Sequence, residues 1–231
     1  MSDLPLVVTC TPSRGLMHSR TAEAIHQARL YAASMCRDDL WLFSHDAPIP
    51  DAHEELAESA FSFGADFVWF VEEDVIPGIA ALGVLLRHQR QTGAGIVYID
   101  YPVGEYPRSS TILRQPTHHG GAILYGGLGC TLIARAVFET LPRPWFETTH
   151  EYALARAQDG RFILTRTEHA ATYGGHDVAL AQVALSHGFT LSVVDGMTAG
   201  HARLRSWGAQ HTNNGAHVVD VLREIEVHHA G

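Results

Sequence analysis

Three consecutive carboxylates, Glu72, Glu73 and Asp74, have the clearest capacity for chemistry in this chain. They directly follow Phe67–Val71, an apolar segment that is typical of a buried strand. Ligands bind beyond the carboxyl ends of strands in open parallel sheets, so a site is expected here. Alternation along an extended chain points Glu72 and Asp74 one way and Glu73 the other. Two converging carboxylates suit Mg²⁺ or Mn²⁺, and the alternative is a solvated acidic turn.

The elements that must position these carboxylates alternate between strands and helices. The patterns predict strands over residues 6–9, 40–43, 67–71, 95–100, 129–134 and 191–194, and helices over 20–35, 51–63, 78–91, 135–140, 177–186 and 216–227. Such alternation predicts a parallel sheet with helices on both faces. Ser19 is the predicted cap of the first helix. The proline-containing segment 101–107 interrupts the pattern and is predicted to be loop or edge strand.

Composition narrows the class of protein. The 231 residues suffice for one sizeable core, and 46% hydrophobic with 18% charged residues is typical of a globular chain. There is no apolar run of about 20 residues and no signal-peptide pattern, so we expect a cytoplasmic protein. A net charge of −9 disfavours nucleic acid, although full protonation of the 16 histidines would change it to +7. Cys10, Cys36 and Cys130 lack metal-site or disulfide spacing and are expected in the core.

A buried strand ending in Glu72-Glu73-Asp74 and continuing into Val-Ile-Pro resembles the nucleotide-sugar-dependent glycosyltransferases of the GT-A fold, family 2 type. Their pattern begins with Asp, so Glu72 is a variant. The resemblance implies an α/β, Rossmann-like single domain over 1–231, with a mostly parallel central sheet flanked by helices. Residues 1–100 would form the nucleotide-sugar side, and 101–231 the acceptor side and C-terminal helix. It also implies that Glu72 and Glu73 meet the donor and that Asp74 binds Mn²⁺ or Mg²⁺.

Other segments extend the resemblance over residues 6–201. The last predicted strand is followed by an Ala-Gly-His sequence, and this order implies that His201 completes the metal site. Polar groups after the first strand can pair with a pyrimidine edge, and an arginine there can reach phosphate. An acid after the second strand resembles the residue that reads the base, or else forms a turn. The expected donor-binding residues here are Thr9, Thr11, Ser13, Arg14 and Asp46.

The acceptor side carries two glycine motifs. The stretch 126–135 is similar to a Gly-rich turn that leads into a strand, and its glycines either admit a sugar or only form the turn. Tyr173-Gly174-Gly175-His176-Asp177 resembles a Trp-Gly-Gly-Glu-Asp motif, which implies that Asp177 is the catalytic base. Asp177 could equally cap the helix that follows. The expected acceptor-binding residues are Gly127, Tyr173, Gly175 and His176, of which His176 replaces the usual Glu.

The resemblance implies a metal-dependent hexosyltransferase-like enzyme that moves a sugar from a nucleoside diphosphate sugar, UDP-sugar favoured, to a hydroxyl acceptor with inversion. The acceptor stays open among glycans, lipid-linked sugars, small molecules and hydroxylated modified DNA, as does the oligomeric state. One alternative is a nucleotidyltransferase, although the basic phosphate loop is faint at 11–15. Another is a non-catalytic nucleotide-sugar-binding module. A zinc hydrolase lacks its HExxH spacing. Residues 201–215 are either a lid over the donor or a connector.

Overall fold

The computed structural model describes residues 4–13, 15, 17–44, 47–103, 110–148, 150–169, 175–204 and 225–227. The helices are α1 (Ser19–Ala32), α2 (Ile49–Ser62), α3 (Ala81–Thr92), α4 (Arg135–Thr140) and α5 (His176–Ser186). The strands are β1 (Leu6–Thr11), β2 (Arg37–Phe43), β3 (Phe67–Val71), β4 (Val75–Ile76), β5 (Ile96–Asp100), β6 (Leu113–Arg114), β7 (Ile123–Tyr125), β8 (Cys130–Ala134), β9 (Tyr152–Arg156), β10 (Phe162–Arg166), β11 (Leu191–Thr198), β12 (Gly200–Leu204) and β13 (Ile225–Val227).

Six strands form the central sheet, in the order β11-β5-β8-β3-β1-β2. β1 is parallel to both β2 and β3, and β11 is parallel to β5. β8 runs antiparallel between β3 and β5 and is the exception in this sheet. The expected α/β architecture with a mostly parallel sheet is therefore confirmed.

Apolar side chains project from both faces of the central sheet, which explains why helices cover each face. Val7 and Trp69 pack on the face that carries α1 and α3, and Val8 and Phe70 pack on the face that carries α2 and α5. Strands buried on both faces read as continuous apolar runs, which is why β3 was predictable to the residue. The three cysteines are unpaired and buried in this core, as expected.

A smaller antiparallel sheet, β13-β12-β4, lies against the acidic segment. The helix predicted over 216–227 is wrong at its end, because Ile225–Val227 forms β13 and pairs with β12. Residues 216–224 lie outside the described part. This error has a physical cause: Ile-Glu-Val alternates as a strand does, and β12 supplies the backbone partners.

Two further local predictions differ from the structure. His18, rather than Ser19, is the N-cap of α1, because its imidazole Nδ1 accepts the Arg20 N–H at 3.3 Å. The antiparallel pair β9 and β10 was not predicted, and its partly exposed strands carry no continuous apolar run. Among the described residues, no helix is both long and apolar enough to cross a membrane.

Candidate functional site

The loop after β1 meets the acidic segment after β3 because these two strands are parallel neighbours. The Ser13 hydroxyl donates a hydrogen bond to Oε2 of Glu73 at 2.8 Å. The backbone N–H of His18 donates to the Glu73 carbonyl oxygen at 3.2 Å. The Ser13 N–H in turn donates to Oγ of Ser44, just beyond β2, at 3.2 Å. Three segments at the carboxyl edge of the sheet are thus tied to one another.

The acidic segment turns rather than staying extended. The Val75 N–H donates to the Glu72 carbonyl oxygen at 3.1 Å, which closes the turn. β4 then pairs with β12, so that His201 stands opposite Val75, and the Ala202 N–H donates to the Asp74 carbonyl oxygen at 2.6 Å. This pairing brings Nε2 of His201 to 3.2 Å from Oδ2 of Asp74. The two predicted metal ligands therefore lie side by side.

The chemistry of this pair fits a divalent cation. Two ligands at right angles around an ion with bonds of about 2.1 Å are separated by about 3.0 Å, close to the spacing of Asp74 and His201. One carboxylate oxygen and one imidazole nitrogen are both common ligands of divalent metal ions. The Asp74 side chain is 38% exposed and that of His201 is 17% exposed, so further ligands can reach the same position.

Glu72 lies two residues before Asp74, directly after β3. Its pKa is raised from 4.5 to about 7, first because burial disfavours its charged form and then because Asp74 and Asp177 carry like charges. His201 acts in the opposite direction. The first turn of α5 faces the acidic turn, because a ring nitrogen of His176 lies within 4.8 Å of a carboxylate oxygen of Glu72.

Gly175 and Asp177 form the start of α5. Gly175 is the N-cap, with φ of 81°, a left-handed conformation that glycine adopts without strain. Oδ1 of Asp177 accepts the Val178 N–H at 2.8 Å, so this carboxylate does stabilise the first turn of the helix. Its charge also raises the pKa of Tyr125, though less than burial does. Asp177 thus combines a local helix contact with an electrostatic influence on the site.

Tyr101 explains the glycines of the motif 126–135. The Gly129 N–H donates to the hydroxyl of this buried tyrosine at 3.1 Å. A Cβ on Gly127 or on Gly129 would lie 2.6 Å from the same hydroxyl oxygen. The space left by these glycines is therefore filled by Tyr101, whose ring centroid lies 5.8 Å from that of His201. The predicted contact of Gly127 with an acceptor stays a prediction.

Thr9 and Thr11 make their hydrogen bonds inside the protein. Both are fully buried. The Thr9 hydroxyl donates to the Asp38 carboxylate at 3.2 Å, and the Thr11 hydroxyl accepts from the Trp41 indole N–H at 3.0 Å. These contacts brace β1 against β2, and a role of the two hydroxyls in donor binding stays a prediction. Three other predicted site residues lie outside the described part of the chain: Arg14, Asp46 and Tyr173.

Sequence reasoning missed His53, on α2, whose ring centroid lies 5.1 Å from that of His176. Its position carried a signal, because it continues the apolar stripe formed by Leu56, Ala57 and Ala60. Burial of the polar nitrogens of a histidine costs free energy unless they have a hydrogen-bond partner, so a histidine on a buried stripe indicates either such a partner or a function. Tyr101 was assigned only to an irregular segment, and no spacing rule reveals that its ring would reach the site.

Comparison with solved structures confirms the fold. Protein A197 from STIV aligns with a TM-score of 0.53 at 17% identity, over 84% of this chain and 84% of that one. Glucosyl-3-phosphoglycerate synthase from Mycobacterium tuberculosis, in complex with Mg²⁺ and UDP, aligns with a TM-score of 0.52 at 15% identity, over 87% of this chain and 72% of that one. A complex of the same synthase with Mn²⁺, UDP-glucose and phosphoglyceric acid aligns with a TM-score of 0.50 at 14% identity, over 87% and 73%.

These likenesses define a GT-A type fold, as the resemblance of the sequence implied. At such identities they establish the fold alone. No family model matches the sequence. No curated protein matches it either.

Proposed function

We propose that this protein is a metal-dependent glycosyltransferase that uses a nucleoside diphosphate sugar, with UDP-sugars favoured. The observation that carries the proposal is the 3.2 Å approach of His201 to Asp74 at the carboxyl edge of the sheet. The fold shared with a synthase that was crystallised with UDP and Mg²⁺ supports the same conclusion. Together they favour a donor site with a divalent ion over an acidic turn without function.

The segments that meet at the carboxyl edge of the sheet would bind the donor. Asp74 and His201 would hold a Mn²⁺ or Mg²⁺ ion, which when bound neutralises charge on the departing diphosphate. Glu73 and Ser13, joined by a hydrogen bond of 2.8 Å, hold the loop after β1 against the acidic turn that carries Asp74. Glu72, two residues before Asp74, would contact the donor, as the resemblance implies.

A residue of α5 would activate the acceptor. Asp177 would accept the proton of the acceptor hydroxyl as the sugar is transferred, which gives inversion at the anomeric carbon. Its position in the first turn of α5, next to His176, which has a ring nitrogen within 4.8 Å of a Glu72 oxygen, supports this role. Gly175 and His176 would then lie on the acceptor side. The hydroxyl acceptor itself is proposed only as a class, which includes glycans, small molecules and hydroxylated DNA.

Calorimetric titration with UDP, GDP and dTDP, each with and without Mn²⁺, tests the donor site. The proposal predicts tight binding of one nucleotide in Mn²⁺, with affinity reduced at least about tenfold in Asp74→Asn, which is about 1.4 kcal/mol. Glu23→Gln, on the exposed surface of α1, is the matched control and should bind as the wild type does. Metal-independent binding, or none, would contradict the proposed site.

A further inference from the structure

A second set of ligand-type atoms lies behind the acidic turn. His53 from α2, Glu72 from the turn directly after β3 and His176 from the start of α5 each place one nitrogen or oxygen atom within 4.8 Å of the other two. Neither Asp74 nor His201 belongs to this set. The three residues come from separate elements, so their convergence results from the fold and not from local sequence.

The tautomer of His53 is fixed by its surroundings. Nδ1 lies 2.7 Å from the Ile49 carbonyl oxygen, and because a carbonyl only accepts, Nδ1 must carry the proton. Nε2 therefore carries a lone pair, and this buried atom has no hydrogen-bond partner among the described residues. The ring packs against Phe70 and Phe146, with centroid distances of 4.8 and 5.1 Å. Histidine ligands of metals are oriented in this way, by donating the other N–H to a carbonyl.

His176, at the start of α5, also has buried polar atoms without hydrogen-bond partners among the described residues. Both of its ring nitrogens are buried, and within the described ranges neither has a hydrogen-bond partner. A buried polar atom left without a partner costs about 1–3 kcal/mol. Burial disfavours the charged form of both rings and lowers the pKa of each. Neutral imidazole is the form that binds metal ions.

We propose that His53, Glu72 and His176 bind a divalent transition-metal ion of the Zn²⁺ type, at a site separate from the Asp74–His201 pair. Two nitrogens and one carboxylate oxygen suit Zn²⁺ and its neighbours, whereas Mg²⁺ prefers oxygen ligands. Tetrahedral Zn²⁺ with bonds of about 2.1 Å separates its ligands by about 3.4 Å, so the three side chains need to close only modestly. Such an ion satisfies His53 Nε2 and one nitrogen of His176.

The sequence supports this assignment independently of the geometry. Glu72 and His176 are two of the three positions at which the acidic and Gly-Gly motifs depart from the patterns that they resemble, and the third is Tyr173, outside the described residues. The structure brings Glu72 and His176 together, and both face His53, a residue in neither motif. The site requires no nucleotide, so it can be tested without reference to the proposed sugar transfer.

The test is Zn²⁺ titration of chelator-treated full-length protein without nucleotide, with Co²⁺ as a spectroscopic probe of nitrogen ligation. We expect a tight Zn²⁺ site that is still present in His201→Gln, together with ligand-field bands with Co²⁺ and a Zn²⁺-dependent rise in Tm; Zn²⁺ bound at the Asp74–His201 pair is lost in that variant. His176→Ala should weaken Zn²⁺ binding at least about tenfold and abolish the bands. His53→Gln should have the same two effects and is the second variant. Glutamine replaces histidine here because His53 is fully buried. Circular dichroism of the metal-free variants confirms that they are folded.

Two control variants separate this site from the donor site. His26→Ala removes an exposed histidine of α1 and should leave Zn²⁺ binding unchanged. His201→Gln alters the proposed donor ion site and should also keep the Zn²⁺ affinity and the Co²⁺ bands. Absence of Zn²⁺ binding by the wild type would overturn the proposal, as would binding that is lost in His201→Gln but kept in His176→Ala.

Discussion

Nε2 of His201 lies 3.2 Å from Oδ2 of Asp74 because β12 pairs with β4 immediately after the acidic turn. The backbone confirms the docking, since the Ala202 N–H donates to the Asp74 carbonyl oxygen at 2.6 Å. His201 lies on β12, the middle strand of the sheet β13-β12-β4, so a late strand of the chain pairs with the short strand that follows the acidic turn. The same contact is the geometric basis of the proposed ion site.

If Asp74 and His201 hold one ion, their substitutions must not be additive. We expect Asp74→Asn and His201→Gln each to weaken UDP binding in Mn²⁺ at least about tenfold, or about 1.4 kcal/mol. The double variant should lose little more than either single variant, because the ion is already absent. Calorimetric titration of the four proteins gives this cycle. Fully additive losses would show two independent contacts and would contradict a shared ion.

Substitution of Asp177 separates its contact with the first turn of α5 from its proposed role as the catalytic base. Asp177→Asn keeps an oxygen that can accept the Val178 N–H, so the first turn of α5 should stay intact. Loss of a general base should lower turnover by about 10²–10⁴-fold, with nucleotide affinity unchanged. Turnover is measured as nucleoside diphosphate released from the donor sugar, and Tm reports the helix. Full activity in Asp177→Asn would leave this residue with only its helix contact.

Glu72 makes stability depend on pH in a defined direction. Because its folded pKa is raised from 4.5 to about 7, the native state holds a proton that the unfolded state releases between these values. The free energy of unfolding should therefore fall as pH rises from about 4.5 to 7, and then level off. Glu72→Gln should remove this component, so that the variant becomes more stable than the wild type above pH 7.

Thermal unfolding in EDTA across this pH range measures the difference between Glu72→Gln and the wild type. Glu55→Gln, on the exposed face of α2, is the matched control, because it removes a carboxylate that is not buried. It should unfold in parallel with the wild type at every pH. A constant difference between Glu72→Gln and the wild type would contradict a raised pKa at this position.

Gly129→Ala should destabilise the protein by about 1–3 kcal/mol, the range for overpacked cores. The added Cβ would lie 2.6 Å from the Tyr101 hydroxyl and 2.8 Å from a methyl carbon of Val75. Gly78→Ala is the matched control, since its Cβ would meet only Met197, at 3.5 Å. Denaturant unfolding compares the two variants. Equal stabilities would show that Tyr101 adapts and that the close packing is not required.

The elements with a clear apolar pattern were predictable from the sequence. β3 was predicted over its observed residues because it is buried on both faces, and α4 was predicted over its observed residues as well. β13 was not, because a segment of three residues acquires its structure only by pairing with β12. β9 and β10 were missed for the same reason: their hydrogen bonds are with each other and their patterns are weak.

The site was predictable only in part. The order of the motifs indicated Asp74 and His201, and the structure places them in contact. The position of His53 on a buried stripe was visible in the sequence, but its neighbours were not, because Glu72 and His176 approach it from other elements. Likewise, spacing along the chain could not reveal that Tyr101 occupies the room left by Gly127 and Gly129. Contacts between elements distant in sequence depend on the tertiary structure.

The most direct test of the central claim is release of nucleoside diphosphate from UDP-, GDP- and dTDP-sugars in Mn²⁺ by the wild type, Asp74→Asn and Glu23→Gln. The account predicts metal-dependent turnover of one donor, retained in Glu23→Gln and reduced at least about 100-fold in Asp74→Asn. Turnover that is equal in Asp74→Asn and the wild type, or absent with every donor despite folded protein and bound nucleotide, would contradict a glycosyltransferase that acts through this site.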